Sequence, residues 1–148
     1  MTRFIFPYGI RFQEDGKLDI FPAAEFSVLG KRGQGIRAMF HLDSGATTSI
    51  LPLSDASVLE IVLDRGKTIT VRGFSGEEVV GYKRVISISL NDTRIRIPAI
   101  FVAADVPRIL GREGVFPKFA VLFDEAKRQT GFFDSHKERK LIDSVLKF

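Results

Sequence analysis

The sequence predicts a mostly β fold, on three observations. Short apolar runs of period two recur along the chain, Gly, Pro, Asn or Asp separates them, and a clear helical period is found in the last segment. At 148 residues the chain has the size at which one hydrophobic core is comfortable, so one β-rich domain is expected over 1–148.

Taken in order, Phe4 to Phe12 and Leu18 to Phe21 read as strands around Glu14-Asp15-Gly16, where Asp-Gly supplies the positive φ of a tight turn. This predicts an N-terminal hairpin, centred on residues 1–19. Ala24 to Leu29 and Ile36 to Leu42 are the next pair, joined by Gly30-Lys31-Arg32-Gly33-Gln34-Gly35. That loop is glycine-rich, but no helical pattern follows it and the Lys-Ser/Thr of a phosphate loop is missing, so it reads as a surface turn. Ser49-Ile50-Leu51-Pro52 returns as a strand, and Leu53 to Leu59 is open between a short helix and an extended loop. Thr68 to Arg72 and Glu77 to Leu90 bracket Gly73-Phe74-Ser75-Gly76, two glycines around an aromatic and a small polar residue. Asn91-Asp92 turns the chain into Thr93-Arg94-Ile95-Arg96-Ile97, where isoleucines face the core and arginines face solvent. Asn91-Asp92-Thr93 also spells a glycosylation acceptor, but the chain shows no secretory signal and the triplet reads as a turn. Leu141, Ile142, Val145 and Leu146 fall on one helical stripe, predicting a helical tail over 135–148.

Composition narrows the function classes. The net charge of +4 invites a nucleic-acid reading, but the basic residues are interleaved with acids or alternate with apolar strand positions. Even the densest basic stretch, from Lys127 to Lys140, is broken by Asp134 and Glu138. No nucleic-acid partner is expected. With no cysteine, the chain has neither a disulfide framework nor a thiol nucleophile, which permits a reducing compartment. Phe4-Ile5-Phe6 is too short for a signal peptide's apolar core, and no run has the length that spans a bilayer, so a cytoplasmic protein without a membrane partner is expected.

Two segments carry chemistry. Met39-Phe40-His41-Leu42-Asp43-Ser44-Gly45-Ala46-Thr47 is an apolar strand running into an Asp-Ser-Gly-Ala turn, and Ile100 to Ala104 precedes Pro107-Arg108-Ile109-Leu110-Gly111-Arg112. Together they resemble the retropepsin family of aspartic proteases, over roughly residues 20 to 133. The resemblance implies a closed β-barrel of the acid protease fold, with a flap hairpin at Gly73, Phe74, Ser75 and Gly76, one short helix after the Ile-Leu-Gly segment and closing strands near Phe119 to Asp124 and Gly131-Phe132-Phe133. It also implies that the Asp43 loop lies beneath Ile109, Leu110, Gly111 and Arg112 in a ψ-shaped arrangement, with Gly111 leaving room for the crossing chain.

The implied reaction is peptide hydrolysis by two aspartates that share one proton, because two carboxylates so close cannot both ionise comfortably. The chain offers one suitable aspartate, Asp43. Asp64-Arg65-Gly66 lacks the short hydroxyl and has no apolar-apolar-Gly partner. An active enzyme of this kind is therefore a homodimer acting on peptide or protein substrates, with no cofactor. By resemblance, Ser44 grips the partner loop, Gly45 allows close backbone approach and Ala46 lines the cleft. Thr47 departs from retroviral members, which often carry an aspartate there that pairs with the arginine after the glycine; Arg112 thereby loses that partner and is available to another carboxylate. The helical tail is a further departure, since retroviral members usually end in a strand of an intersubunit sheet. The tail either packs on its own barrel or contacts the second copy.

Other chemistries are weaker. His41 shares a strand face with Asp43, but a serine triad would need Ser44 as nucleophile, and Ser44 already serves the loop. Two isolated histidines, His41 and His136, do not make a zinc site. The alternative to the protease is a non-catalytic retropepsin-fold module that binds peptides or acts as a scaffold.

Overall fold

The structure, a computed structural model, describes residues 1–63, 68–72 and 76–147. Its elements are β1 (Arg3–Pro7), β2 (Gly9–Phe12), β3 (Leu18–Phe21), β4 (Ala23–Leu29), β5 (Gly35–Leu42), β6 (Ser49–Pro52), α1 (Leu53–Val58), β7 (Thr68–Arg72), β8 (Glu78–Leu90), β9 (Thr93–Val102), β10 (Ile109–Leu110), β11 (Phe119–Asp124), β12 (Gln129–Asp134) and α2 (Arg139–Leu146).

The largest sheet has the order β4-β5-β10-β6-β9-β8-β7, and β8 also pairs with β4 through Val28↔Ile88, so the pairings from β4 round to β8 return to their start. The β8–β9 ladder runs from Gly81↔Val102 to Leu90↔Thr93 and is turned at Asn91, whose φ of 52° is one that Asn tolerates well. Along β9, Arg94 and Arg96 are exposed while Ile97, Ala99 and Phe101 are buried, as the alternation predicts. A second sheet has the order β1-β12-β11, and β2 and β3 form a separate hairpin.

Phenylalanines join the two larger sheets. Phe26 of β4 meets Phe132 of β12 edge to face at 5.7 Å and Phe40 of β5 at 6.4 Å, while Phe4 and Phe132 both pack edge-on against Phe119. Each buried phenylalanine is worth about 1.5–3 kcal/mol in transfer, and edge-to-face pairs add about 0.5–1.5 kcal/mol. This packing fixes the inner face of β5, and hence the strand end that carries Asp43.

The structure revises or resolves several local expectations. The run Phe4 to Phe12 is two strands, because Pro7 has no N–H to continue a ladder; the chain breaks at Tyr8, whose N–H donates to Arg128 O at 2.9 Å. β1 pairs with β12, and only β2 forms the hairpin with β3. Leu53 to Val58 is helical. The short helix expected after Ile-Leu-Gly takes the form of consecutive helical turns, with Phe116 N–H on Arg112 O and Phe119 N–H on Val115 O, interrupted at Gly114 by a φ of 76°. The tail is helical over 139–146, and its stripe of Leu141, Ile142, Val145 and Leu146 lies beside Ala120, Leu122 and Phe133 around an apolar groove of about 390 Å³. Among the described residues no helix is long and apolar enough to cross a membrane.

Candidate active site

The site begins with the alternation of β5. Ala38, Phe40 and Leu42 point into the core, so Met39, His41 and Asp43 share the opposite face and Asp43 emerges exposed at the strand end. β10 is only two residues long but lies between two strands, parallel to β5 (Ile109↔His41, Leu110↔Leu42) and antiparallel to β6 (Ile109↔Ile50). His41 N–H donates to Arg108 O at 2.8 Å and Asp43 N–H to Leu110 O at 3.1 Å, extending the parallel ladder to the carboxylate itself. Leu110 is fully buried, which anchors the crossing.

The loop from Asp43 to Thr47 is tied to itself and to the segment after β10. Gly45 N–H donates to Asp43 Oδ1 at 2.9 Å, holding the carboxylate over its own turn. Ala46 N–H bonds Asp43 O, and in return Arg112 N–H bonds Ala46 O at 3.0 Å and Glu113 N–H bonds Thr47 O at 2.9 Å. Beneath them the buried hydroxyl of Ser49 accepts Gly111 N–H at 3.0 Å. A Cβ at Gly111 would lie 2.7 Å from the carbonyl carbon of Thr48, so only glycine lets the two chains cross here. The structure therefore brings Asp43, Ser44, Gly45, Ala46 and Thr47 together with Ile109, Leu110, Gly111 and Arg112. Arg112 Nη2 reaches Thr47 Oγ1 at 3.2 Å, so among the described residues the arginine takes the hydroxyl of the departing residue rather than another carboxylate. Thr48 Oγ1 contacts Glu113 Oε1 at 3.4 Å on the other side of the crossing.

Two supports escape a reading of the sequence. Asp55, buried on α1, holds Arg108 by a bidentate ion pair at 2.6 and 2.8 Å, tying the helix to the residue that leads into β10. That hydrogen-bonded pairing raises the Arg108 pKa against the opposing effect of burial. No local signal in the sequence links the two residues, which lie 53 positions apart. The second is Phe21, whose ring stacks on His41 at 3.5 Å with an 8° tilt. Burial, followed by the Arg11 charge, pushes the His41 pKa below its ordinary value against the weaker pull of Asp19. His41 thus packs against Phe21, which fits a structural role better than a dyad with Asp43.

Of the expected flap, Gly76 is described, with a φ of 81° and open space around it; Gly73, Phe74 and Ser75 lie outside the described residues, as does Asp64-Arg65-Gly66. The strands on either side of the expected flap segment, β7 and β8, pair from Thr68↔Tyr82 to Arg72↔Glu78. Among the described residues no three His, Asp or Glu side chains converge as a metal-binding group.

The aspartyl protease family profile matches residues 28–114, which include both segments of the site. Among solved structures, the chain is similar to a retropepsin-like aspartic protease from Rickettsia conorii, at 17% identity over 88% of this chain and 89% of that one, with a TM-score of 0.53. It also matches the EIAV protease at 20% identity, over 62% of this chain and 82% of that one, with a TM-score of 0.49. Compared with curated proteins by sequence, the chain has no match. The likeness to the Rickettsia structure shows that the fold is retropepsin-like.

Proposed function

This chain belongs to the aspartyl protease family, and from that premise we propose that it is an endopeptidase that acts as a homodimer, Asp43 of each copy supplying one half of a catalytic dyad. The observation that carries the reading is the hold on Asp43: a carboxylate at the end of a core-anchored strand, fixed by Leu110 O through its N–H and by Gly45 N–H through Oδ1, yet exposed on one chain. One chain supplies one such group. A second copy meeting it across a twofold axis would complete the pair and cover the exposed loop.

In the dimer, one carboxylate is ionised and the other protonated, since the two share a proton. The ionised one takes a proton from water as the oxygen attacks the scissile carbonyl, and the protonated one polarises that carbonyl and then gives its proton to the leaving amine. In this reading the Ser44 hydroxyl grips the partner loop, and Gly45 and Ala46 leave room for the peptide backbone. The segment from Gly73 to Gly76, carried between β7 and β8, acts as the flap that excludes water.

The test compares wild type with Asp43→Asn on a peptide library from acidic to neutral pH, with sedimentation to report the dimer. The expected result is cleavage that disappears in Asp43→Asn while the dimer persists, and that a statine-type transition-state mimic blocks. Cleavage that survives the substitution would refute the assignment.

A further inference from the structure

The face of the large sheet turned away from the core carries one row of side chains across four strands. Register sets Arg37 of β5 opposite Ser27 of β4, Ser27 opposite Ser89 of β8, and Ser89 opposite Arg94 of β9. Phe26, Val28, Ala38, Ile88 and Leu90 beside them are buried, so the alternation turns these four outward. At about 4.8 Å per strand, the two arginines start about 14 Å apart with the hydroxyls between them. Arg96, the next exposed position of β9, adds a further cation. Among the described residues neither Arg94 nor Arg96 meets a carboxylate, whereas Arg37 is paired with Glu25.

The β4–β8 ladder stops at Ser27↔Ser89, and beyond it β1 runs beside β4 without pairing to it. The gap is a cavity of about 390 Å³, bordered by Ser27, Ser89, Arg37 and Asn91 on the sheet side and by Arg3 and Ile5 on the β1 side. β1 is an edge strand, and the ends of its ladder show which groups face the gap. Thr2 O accepts Asp134 N–H and Tyr8 N–H donates to Arg128 O, both at 2.9 Å, so Phe4 and Phe6, at the same parity, are the positions hydrogen-bonded to β12. Arg3 and Ile5 therefore turn their N–H and C=O groups away from β12, and among the described residues no other strand takes them. Ile5 is 56% exposed, and Pro7, without an N–H, ends the open edge.

We propose that this cavity is a docking site for an extended acidic segment of another protein, which pairs with the open edge of β1 and sets its carboxylates against Arg94 and Arg96. Strand addition of this kind takes its affinity from main-chain hydrogen bonds and its selectivity from alternate side chains. A segment that fills the cavity touches the β1 edge on one side and two serine hydroxyls on the other, and the row beyond Ser89 leads its side chains to Arg94. Charge selects the occupant. A second copy would bring the same arginines to this face, and like charges placed together repel. A nucleic acid would satisfy the arginines but has no peptide backbone to pair with Arg3 and Ile5. An acidic peptide satisfies both. Arg37 lies six residues before Asp43 on the chain, about 20 Å along an extended strand, so the site is outside the cleft and does not depend on the protease reading.

The probe is a short fluorescent peptide of alternating Glu and Val, titrated into the Asp43→Asn protein so that cleavage cannot consume it, with a Lys-Val peptide and a short oligouridylate as controls. Amide hydrogen exchange of Arg3 and Ile5 is followed by NMR in the same samples. The expected result is saturable binding of the Glu-Val peptide, slowed exchange at both amides, and binding about tenfold weaker when Arg94→Glu and Arg96→Glu are combined. Ile5→Pro should abolish binding while the fold persists, because an edge strand tolerates proline where the N–H faces solvent. Should that variant not fold, the arginine variant and the Ile5 amide decide the matter. No binding of the Glu-Val peptide, binding indifferent to the arginine reversal, or Ile5 exchange unchanged in the complex would each overturn the site. Oligouridylate bound as tightly as the peptide, without slowing Ile5 exchange, would make the face a general polyanion surface and overturn the peptide assignment. Ile5 protection that rises with protein concentration in the absence of probe would give the edge to a second copy and overturn it as well.

Discussion

Arg108 and Asp55 form a bidentate ion pair between the segment entering β10 and helix α1, with Nε–Oδ2 at 2.6 Å and Nη2–Oδ1 at 2.8 Å. The side chain of Asp55 is 6% exposed and that of Arg108 31%, so the carboxylate is the more deeply buried partner. Arg108 also lends its carbonyl to His41 N–H, so one residue joins helix, β10 and β5.

Removing Asp55 leaves a half-buried guanidinium without its partner. Loss of one member of a fully buried pair costs about 3–5 kcal/mol, and the partial exposure of Arg108 lowers the expectation for Asp55→Ala to about 2–3 kcal/mol. The double change Asp55→Leu with Arg108→Met should cost less than Asp55→Ala alone, because no charge is left stranded. Urea unfolding of wild type and the two variants checks this, and equal losses for the single and double changes would contradict it.

Gly111→Ala should be worse than its single methyl suggests. The added Cβ meets the Thr48 carbonyl carbon at 2.7 Å and its oxygen at 2.9 Å, and backbone cannot swing aside as a side chain can. Overpacking of this kind costs about 1–3 kcal/mol. The strain falls where Gly111 N–H meets Ser49 and Arg112 N–H meets Ala46 O, so peptidase activity should drop further than the folded fraction does. Activity measured per folded molecule, well below the melting temperature, separates the two effects.

Thr47→Asp should give Arg112 a carboxylate in place of a hydroxyl. The pair would be exposed, so the gain is about 0.2–1 kcal/mol, and it should shrink at high salt. Melting temperatures of wild type and variant at low and high ionic strength test this. A gain that ignores salt would point to packing and not to charge.

Most of the strands were legible because alternation is local: β4, β5, β8 and β9 each carry a two-residue period, and the Asp43 and Gly111 segments carry turn chemistry that few other arrangements need. What escaped was long-range. Nothing near Pro7 says that β1 leaves its neighbour to pair with β12, a partnership more than a hundred residues away in the chain. The Asp55–Arg108 pair is invisible for the same reason, since each residue alone resembles an exposed charge. Thr47 shows the opposite case: the sequence marks the missing carboxylate, but only the fold shows that the arginine bonds the threonine that replaced it.

Asp134 closes β12 and starts the turn into α2, and its titration should be visible in acid. Its buried carboxylate accepts the N–H groups of Lys137 at 2.9 Å and His136 at 3.0 Å and faces Lys118 Nζ at 3.2 Å. The Lys137 N–H bond does most to hold its pKa below the ordinary 3.8, against the opposing effect of burial, with Lys118 and His136 assisting. Because the folded pKa lies below the unfolded one, the contribution to stability is full above the unfolded value and is lost as pH falls through the folded value. Asp134→Asn, which keeps the shape and one acceptor but not the charge, should cost about 1.5–3 kcal/mol at neutral pH. The stability of the variant should fall less steeply than that of wild type below about pH 4. Urea midpoints taken from neutral to acid pH for both proteins decide it: parallel curves would mean that the Asp134 charge contributes nothing to the fold.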